Sequence, residues 1–93
     1  MPLGEGRAKD VDEERTVAVF HLADGFFAID DTCSHAQASL SEGEVVGHTV
    51  ICPRHGGRFD LTTGRPTGLP ATAKVASYPV QLADGQILVD LGG

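Results

Sequence analysis

The stretch from Cys33 to Asp60, CSHAQASLSEGEVVGHTVICPRHGGRFD, decides how this chain is read. It holds both cysteines of the protein and three of its four histidines. Cys33 and His35 form a C-x-H pair, Cys52 and His55 form a C-x-x-H pair, and sixteen residues separate His35 from Cys52. Spacers this short let both side chains of a pair converge on one side of a loop. Between the pairs, Glu44-Val45-Val46 and Thr49-Val50-Ile51 flank Gly47-His48, the pattern of a short hairpin. Two thiolates and two imidazoles brought together in this way suit a metal centre with mixed sulfur and nitrogen ligands.

Two geometries satisfy that donor set. All four residues can hold a single tetrahedral zinc, or the cysteines can take one iron of a two-iron cluster and the histidines the other. Zinc sites usually pair like with like, as C-x2–4-C with H-x3–5-H. Here each pair mixes Cys with His and the order is Cys-His-Cys-His. The bland alternative is a set of unrelated buried thiols and hydrogen-bonded histidines. It would suit a lone Cys or His better than a chain that places every cysteine in one of two such pairs. His21 and His48 lack ligand spacing, and no role follows for them.

Outward from the stretch, the chain reads as strands and turns. Thr16-Val17-Ala18-Val19-Phe20 is β-branched and aromatic, hence a strand. Ala23-Asp24-Gly25 predicts a hairpin turn, because Gly tolerates the positive φ of tight hairpins, and Phe26 to Ile29 returns beside the first strand. HLADGFFAID (21–30) and QLADGQILVD (81–90) share Leu, Ala, Asp, Gly and a final Asp, so a second hairpin of the same kind is expected near the C-terminus. Arg58 to Leu61 and Tyr78 to Leu82 are further strand candidates. Residues 1–14 read as a polar lead-in ending in a turn, and 62–66 and 68–70 as surface turns. Ser34 to Leu40 has room for one helical turn at most. Phe26, Phe27 and Phe59 read as core, and Asp30-Asp31 as a solvated turn. Short strands with Gly/Pro punctuation predict an all-β fold, a small antiparallel β-sandwich or barrel.

Composition narrows the function. The 93 residues fit one domain spanning 1–93. A body this small buries only about two thirds of its unfolded surface, so a metal staple adds usefully to its core. A net charge of −6 without a Lys/Arg cluster argues against nucleic acid or an anionic membrane as partner, and for a partner with a basic docking face. No secretory signal and no apolar run of about 18 residues is visible, so a cytoplasmic protein is expected. Two cysteines there favour metal binding over a structural disulfide. No Ser/His/Asp set and no phosphate-cradling Gly loop is present, which points away from an enzyme.

With the second loop continuing as CPRHGGRFD and then TGRP, the motif C-x-H-x16-C-x-x-H resembles the Rieske iron–sulfur family. The chain is most similar to the small ferredoxins that serve bacterial ring-hydroxylating oxygenases. AIDDTCSH, the Leu40-to-Gly43 turn and the LPA at Leu69 to Ala71 extend the resemblance over nearly all of it. The resemblance implies the Rieske fold, with a two-loop cluster-binding subdomain at about 31–60. It implies a 2Fe–2S cluster with Cys33 and Cys52 on one iron and His35 and His55 on the other, their free imidazole edges facing solvent. Soluble relatives usually have one more strand before the GEG segment, so an open sheet edge is expected here.

Departures from the family pattern concern the surroundings of the cluster. Respiratory-complex members carry an extra cysteine in each loop and bridge them; Ala38 and Arg54 occupy those positions here, so that bridge cannot form. Those members also direct a serine and a tyrosine hydroxyl at the cluster sulfurs, where this chain has Gly57 and Phe59. Hydrogen bonds to sulfur favour the reduced, more negative cluster, so their loss predicts a potential near the low end of roughly −150 to +300 mV. The resemblance thus implies an electron carrier, expected to be a monomer, between an NAD(P)H-dependent flavoprotein reductase and a terminal oxygenase. A small Rieske subunit of a larger reductase, such as nitrite reductase, ranks lower, since many of those lack the ligands. A zinc-stapled interaction module is the alternative of another class.

Overall fold

The computed structural model describes residues 3–11, 13, 15–32, 38–54, 56–69 and 73–90. Among these residues ten strands follow one another: β1 (Gly6–Asp10), β2 (Thr16–Leu22), β3 (Gly25–Asp30), β4 (Glu44–Val46), β5 (Thr49–Ile51), β6 (Arg58–Asp60), β7 (Pro66–Gly68), β8 (Ser77–Tyr78), β9 (Val80–Ala83) and β10 (Gln86–Val89). The sole helical element among the described residues is a 3-10 turn, Leu40–Glu42. The strands form three antiparallel sheets, β1-β2-β3-β8, β4-β5-β6-β7 and the hairpin β9-β10.

The β1-β2-β3-β8 sheet, the base sheet, lies between the other two, which explains the unbroken apolar run of β2. Successive side chains of a strand point to opposite faces. Ala18, Phe20 and Leu22, with Ile29 of β3, enter the main core with Leu40, Val50, Cys52, Phe59, Leu61 and Val75. Val17, Val19 and Ala28 point the other way, into a smaller core where Val80, Ile87 and Val89 of the β9-β10 hairpin pack. Fully burying a side chain the size of Phe20 or Phe59 stabilises by about 1.5–3 kcal/mol. The main core therefore fastens the β4–β7 sheet, which carries the ligand stretch, onto the base sheet.

A polar contact joins the same two layers at the hairpin tips. His48, in the β4-β5 turn, places Nε2 at 3.0 and 2.9 Å from the two carboxylate oxygens of Asp24 in the β2-β3 turn. The ring of Phe27 stands edge-on to His48 with centroids 5.6 Å apart. His48 thus has a structural contact, while His21 stacks on Phe26 at 4.3 Å.

Four local expectations are corrected. The polar lead-in contains β1, paired with β2 from Gly6↔Phe20 to Asp10↔Thr16. An outer strand is held by backbone bonds on one side, so exposed Arg7 and Lys9 carry no apolar signal. The turn-rich segment after Asp60 includes β7, which pairs with β6 across a bulge at Arg58/Phe59. Pro66 stands first in that strand, where a missing N–H is tolerated. The single strand expected over Tyr78 to Leu82 breaks at Pro79: β8 pairs with β3, whereas β9 pairs with β10. Finally, the two LADG hairpins differ in register. Leu22 pairs with Gly25 around Ala23-Asp24, but Ala83 pairs with Gln86 around Asp84-Gly85. Asp84 and Gly85 have φ of 51° and 77°, both positive as a type I′ turn needs. The Ser34 to Gln37 part of the predicted helical turn lies outside the described residues; the turn found starts at Leu40.

Candidate metal centre

The first ligand loop leaves the end of β3 and returns at Ser39. Its two stems are joined by a bridge between Thr32 and Ser39 and by a 2.7 Å bond from the Leu40 N–H to the Asp31 carbonyl. Cys33 and His35 lie between these stems, outside the described residues. Ala38, on the returning stem, is half-buried and packs against the main core.

Asp30 and Asp31 make up the outgoing stem, and neither is a free solvated turn residue. Asp31 is 7% exposed. Its Oδ2 accepts from the Ser39 hydroxyl at 2.6 Å and its Oδ1 from the Ser41 N–H at 2.9 Å. Asp30 faces the C-terminal part of the chain instead, accepting from the Tyr78 hydroxyl at 2.6 Å and the Ala76 N–H at 3.1 Å. Two adjacent carboxylates thus tie the loop's origin in two directions. The available signal was an acid at the end of a strand followed eight and ten residues later by serines.

The second ligand loop follows β5 and closes on itself. The Cys52 N–H donates to the Gly57 carbonyl at 2.6 Å, and the Gly56 N–H donates back to the Cys52 carbonyl at 3.0 Å. Pro53 and Arg54 stand exposed at the tip while Gly57 is buried at the stem. Cys52 is 2% exposed, unbridged, and part of the same core that Ala38 and Leu40 pack into. His55 lies outside the described residues. Phe59 is fully buried in that core.

These features fit a cluster held by two loops. Cys52 offers a soft sulfur donor sheltered from water at the end of a strand, and both loops are cinched at stems that share one core. Among the described residues no group of three or more His, Cys, Asp or Glu is placed to hold a metal ion; Cys52 is the single predicted ligand within them. Two carboxyls outside the ligand loops, one in the β2-β3 turn and one at the end of β6, sit below the ordinary Asp range. The Asp24 carboxyl is lowered mainly by its hydrogen bond with His48. That of Asp60 is lowered chiefly by the Thr62 hydroxyl, at 2.6 Å, and then by the Thr62 N–H. No helix among the described residues is long and apolar enough to cross a membrane.

Known proteins resemble the chain in the same region. Residues 1–79 match the family described as the Rieske [2Fe-2S] domain. The anthranilate 1,2-dioxygenase ferredoxin subunit of Burkholderia cepacia is 44% identical over 79 residues, covering 85% of this chain and 73% of that protein. Among solved structures, the ferredoxin of carbazole 1,9a-dioxygenase from Nocardioides aromaticivorans IC177 superposes with a TM-score of 0.90 at 38% identity, over 97% of this chain and 88% of the other. A chain from the complex of reduced oxygenase and oxidized ferredoxin in carbazole 1,9a-dioxygenase gives 0.90 at 37% identity, over 96% and 91%.

Proposed function

Because the chain belongs to the Rieske 2Fe–2S domain family, we propose that it is a one-electron carrier between an NAD(P)H-dependent flavoprotein reductase and the terminal oxygenase of a ring-hydroxylating dioxygenase system. The observation that carries this is likeness to dioxygenase ferredoxins over nearly the whole chain, in sequence and in fold. The likeness to a chain from an oxygenase–ferredoxin complex supports the oxygenase as partner.

In this reading Cys33 and Cys52 bind one iron and His35 and His55 the other. The bound cluster supplies one reversible electron. The chain's own contribution is rigidity. Loop stems closed by Thr32↔Ser39 and by Cys52 with Gly57 let the ligands keep their places as charge comes and goes. Exposed Arg54 sits beside the second pair, where a partner's acidic group or solvent meets it. Ala38, Gly57 and Phe59 line the stems without offering a side-chain hydrogen bond, which favours a low potential. The net charge of −6 suits partners with basic docking faces, and the working place is the cytoplasm.

The test is reconstitution with purified reductase and oxygenase, following NAD(P)H-driven product formation. The wild-type protein restores flux at catalytic amounts, and His55→Cys abolishes it. Undiminished flux through His55→Cys refutes the ligand assignment. A chain that co-purifies inseparably with one large enzyme contradicts the carrier role.

A further inference from the structure

We propose that Asp31 is the positioning residue of the first ligand loop, fixing both of its stems and through them the Cys33/His35 pair. The inference rests on the reading of those two residues as ligands. Every polar atom of Asp31 is engaged. Its N–H donates to the Thr16 carbonyl at 2.9 Å, which anchors it to the start of β2, an inner strand of the base sheet. Its carbonyl accepts from Leu40, and its two carboxylate oxygens accept from Ser39 and Ser41 on the far side of the loop. The Ser39 and Ser41 hydroxyls stand 2.8 Å apart, so the returning stem is cross-linked as well. One residue therefore spans the loop's mouth and attaches it to β2.

Burial sharpens the point. A carboxylate shielded from water is costly unless hydrogen-bonded, and among the described residues no cation pairs with Asp31. Its donors are neutral, and all three of them, from Ser39, Leu40 and Ser41, belong to the segment that closes the loop. Cys33 follows Asp31 by two residues, at most about 7 Å along an extended chain, so displacement at the stem reaches the ligand pair directly. Asp30 provides the internal control. It has the same chemistry one residue earlier, but it is tied to Ala76 and Tyr78 rather than to the loop.

The experiment uses the iron-loaded protein and follows loss of its visible absorption to an iron chelator, with EPR of the reduced state. Asp31→Ala is expected to release iron about tenfold faster or more, the factor that losing two ordinary hydrogen bonds corresponds to, with broadened g values. Asp31→Asn keeps an acceptor for the Ser41 N–H and an amide for the Ser39 hydroxyl, and should stay within about threefold of wild type with sharp g values. Asp30→Ala breaks the ties to Ala76 and Tyr78 but none to the returning stem, and should accelerate release less than Asp31→Ala. If Asp31→Ala does not fold, Ser39→Ala carries the test with release about threefold faster. Wild-type release from Asp31→Ala or Ser39→Ala overturns the proposal while the iron-loaded wild type keeps the carrier reading intact. Equal acceleration in Asp30→Ala also overturns it, since general loosening then suffices. A wild-type protein that binds no iron removes both readings together.

Discussion

Gly64 is where a single methyl group should cost most for its size. Its backbone has φ of 78°, in the left-handed region, which an Ala adopts at a cost of about 1–2 kcal/mol. A Cβ there would collide with the Val75 carbonyl oxygen, and the backbone cannot swing aside as a flexible side chain could. Val75 is held by a 2.9 Å bond from its N–H to the Gly64 carbonyl, and its side chain is 5% exposed in the main core. Displacing it weakens that bond, about 0.5–1.5 kcal/mol, and uncovers part of a core side chain. Gly64→Ala should therefore destabilise by roughly 3 kcal/mol. Gly85 isolates the first contribution: its φ is 77°, yet a Cβ added there would meet nothing within 4 Å. Gly85→Ala should cost only about 1–2 kcal/mol. Urea unfolding of the two variants beside wild type, followed by circular dichroism, measures both. Equal losses would show that the Gly64–Val75 approach carries no energy.

Three further outcomes are expected. Phe59→Ala should destabilise by about 3–5 kcal/mol in the same assay, because the ring is fully buried among Leu40, Val50 and Leu61. The depressed Asp24 and Asp60 carboxyls contribute stability that is present above their ordinary value of 3.8 and is lost as pH falls through the lower folded values. Thr62→Val, which removes the chief cause at Asp60, should flatten the acid limb of urea midpoints measured from pH 5 to 2; an unchanged limb contradicts that cause. Protein-film voltammetry at neutral pH should place the potential in the lower part of the range from about −150 to +300 mV, and a value above about +100 mV would oppose the role given to Gly57 and Phe59.

Where periodicity or turn chemistry acts locally, the fold was legible in the sequence. Glu44 to Ile51 forms the expected hairpin around Gly47-His48, and Thr16 to Ile29 the expected pair of strands. What escaped was set by neighbours. Residues 6–10 become a strand because β2 offers an edge, not because Arg7 or Lys9 prefers one. The two LADG segments share four residues yet turn at different places, so what decides each register lies outside them. At the centre, residue types and spacing were enough to reach the family; the closed stems came only with the structure. Asp31 looks like any turn acid until Ser39 and Ser41 are folded back onto it.

The most direct test of a Rieske centre in this chain is the metal and sulfide content of anaerobically purified protein, read with its visible and EPR spectra. A Rieske centre gives a brown-red protein with two irons and two acid-labile sulfides per chain, and a reduced EPR signal whose mean g lies below that of all-cysteine clusters. A colourless protein holding one zinc per chain, or no metal after anaerobic reconstitution, would contradict it.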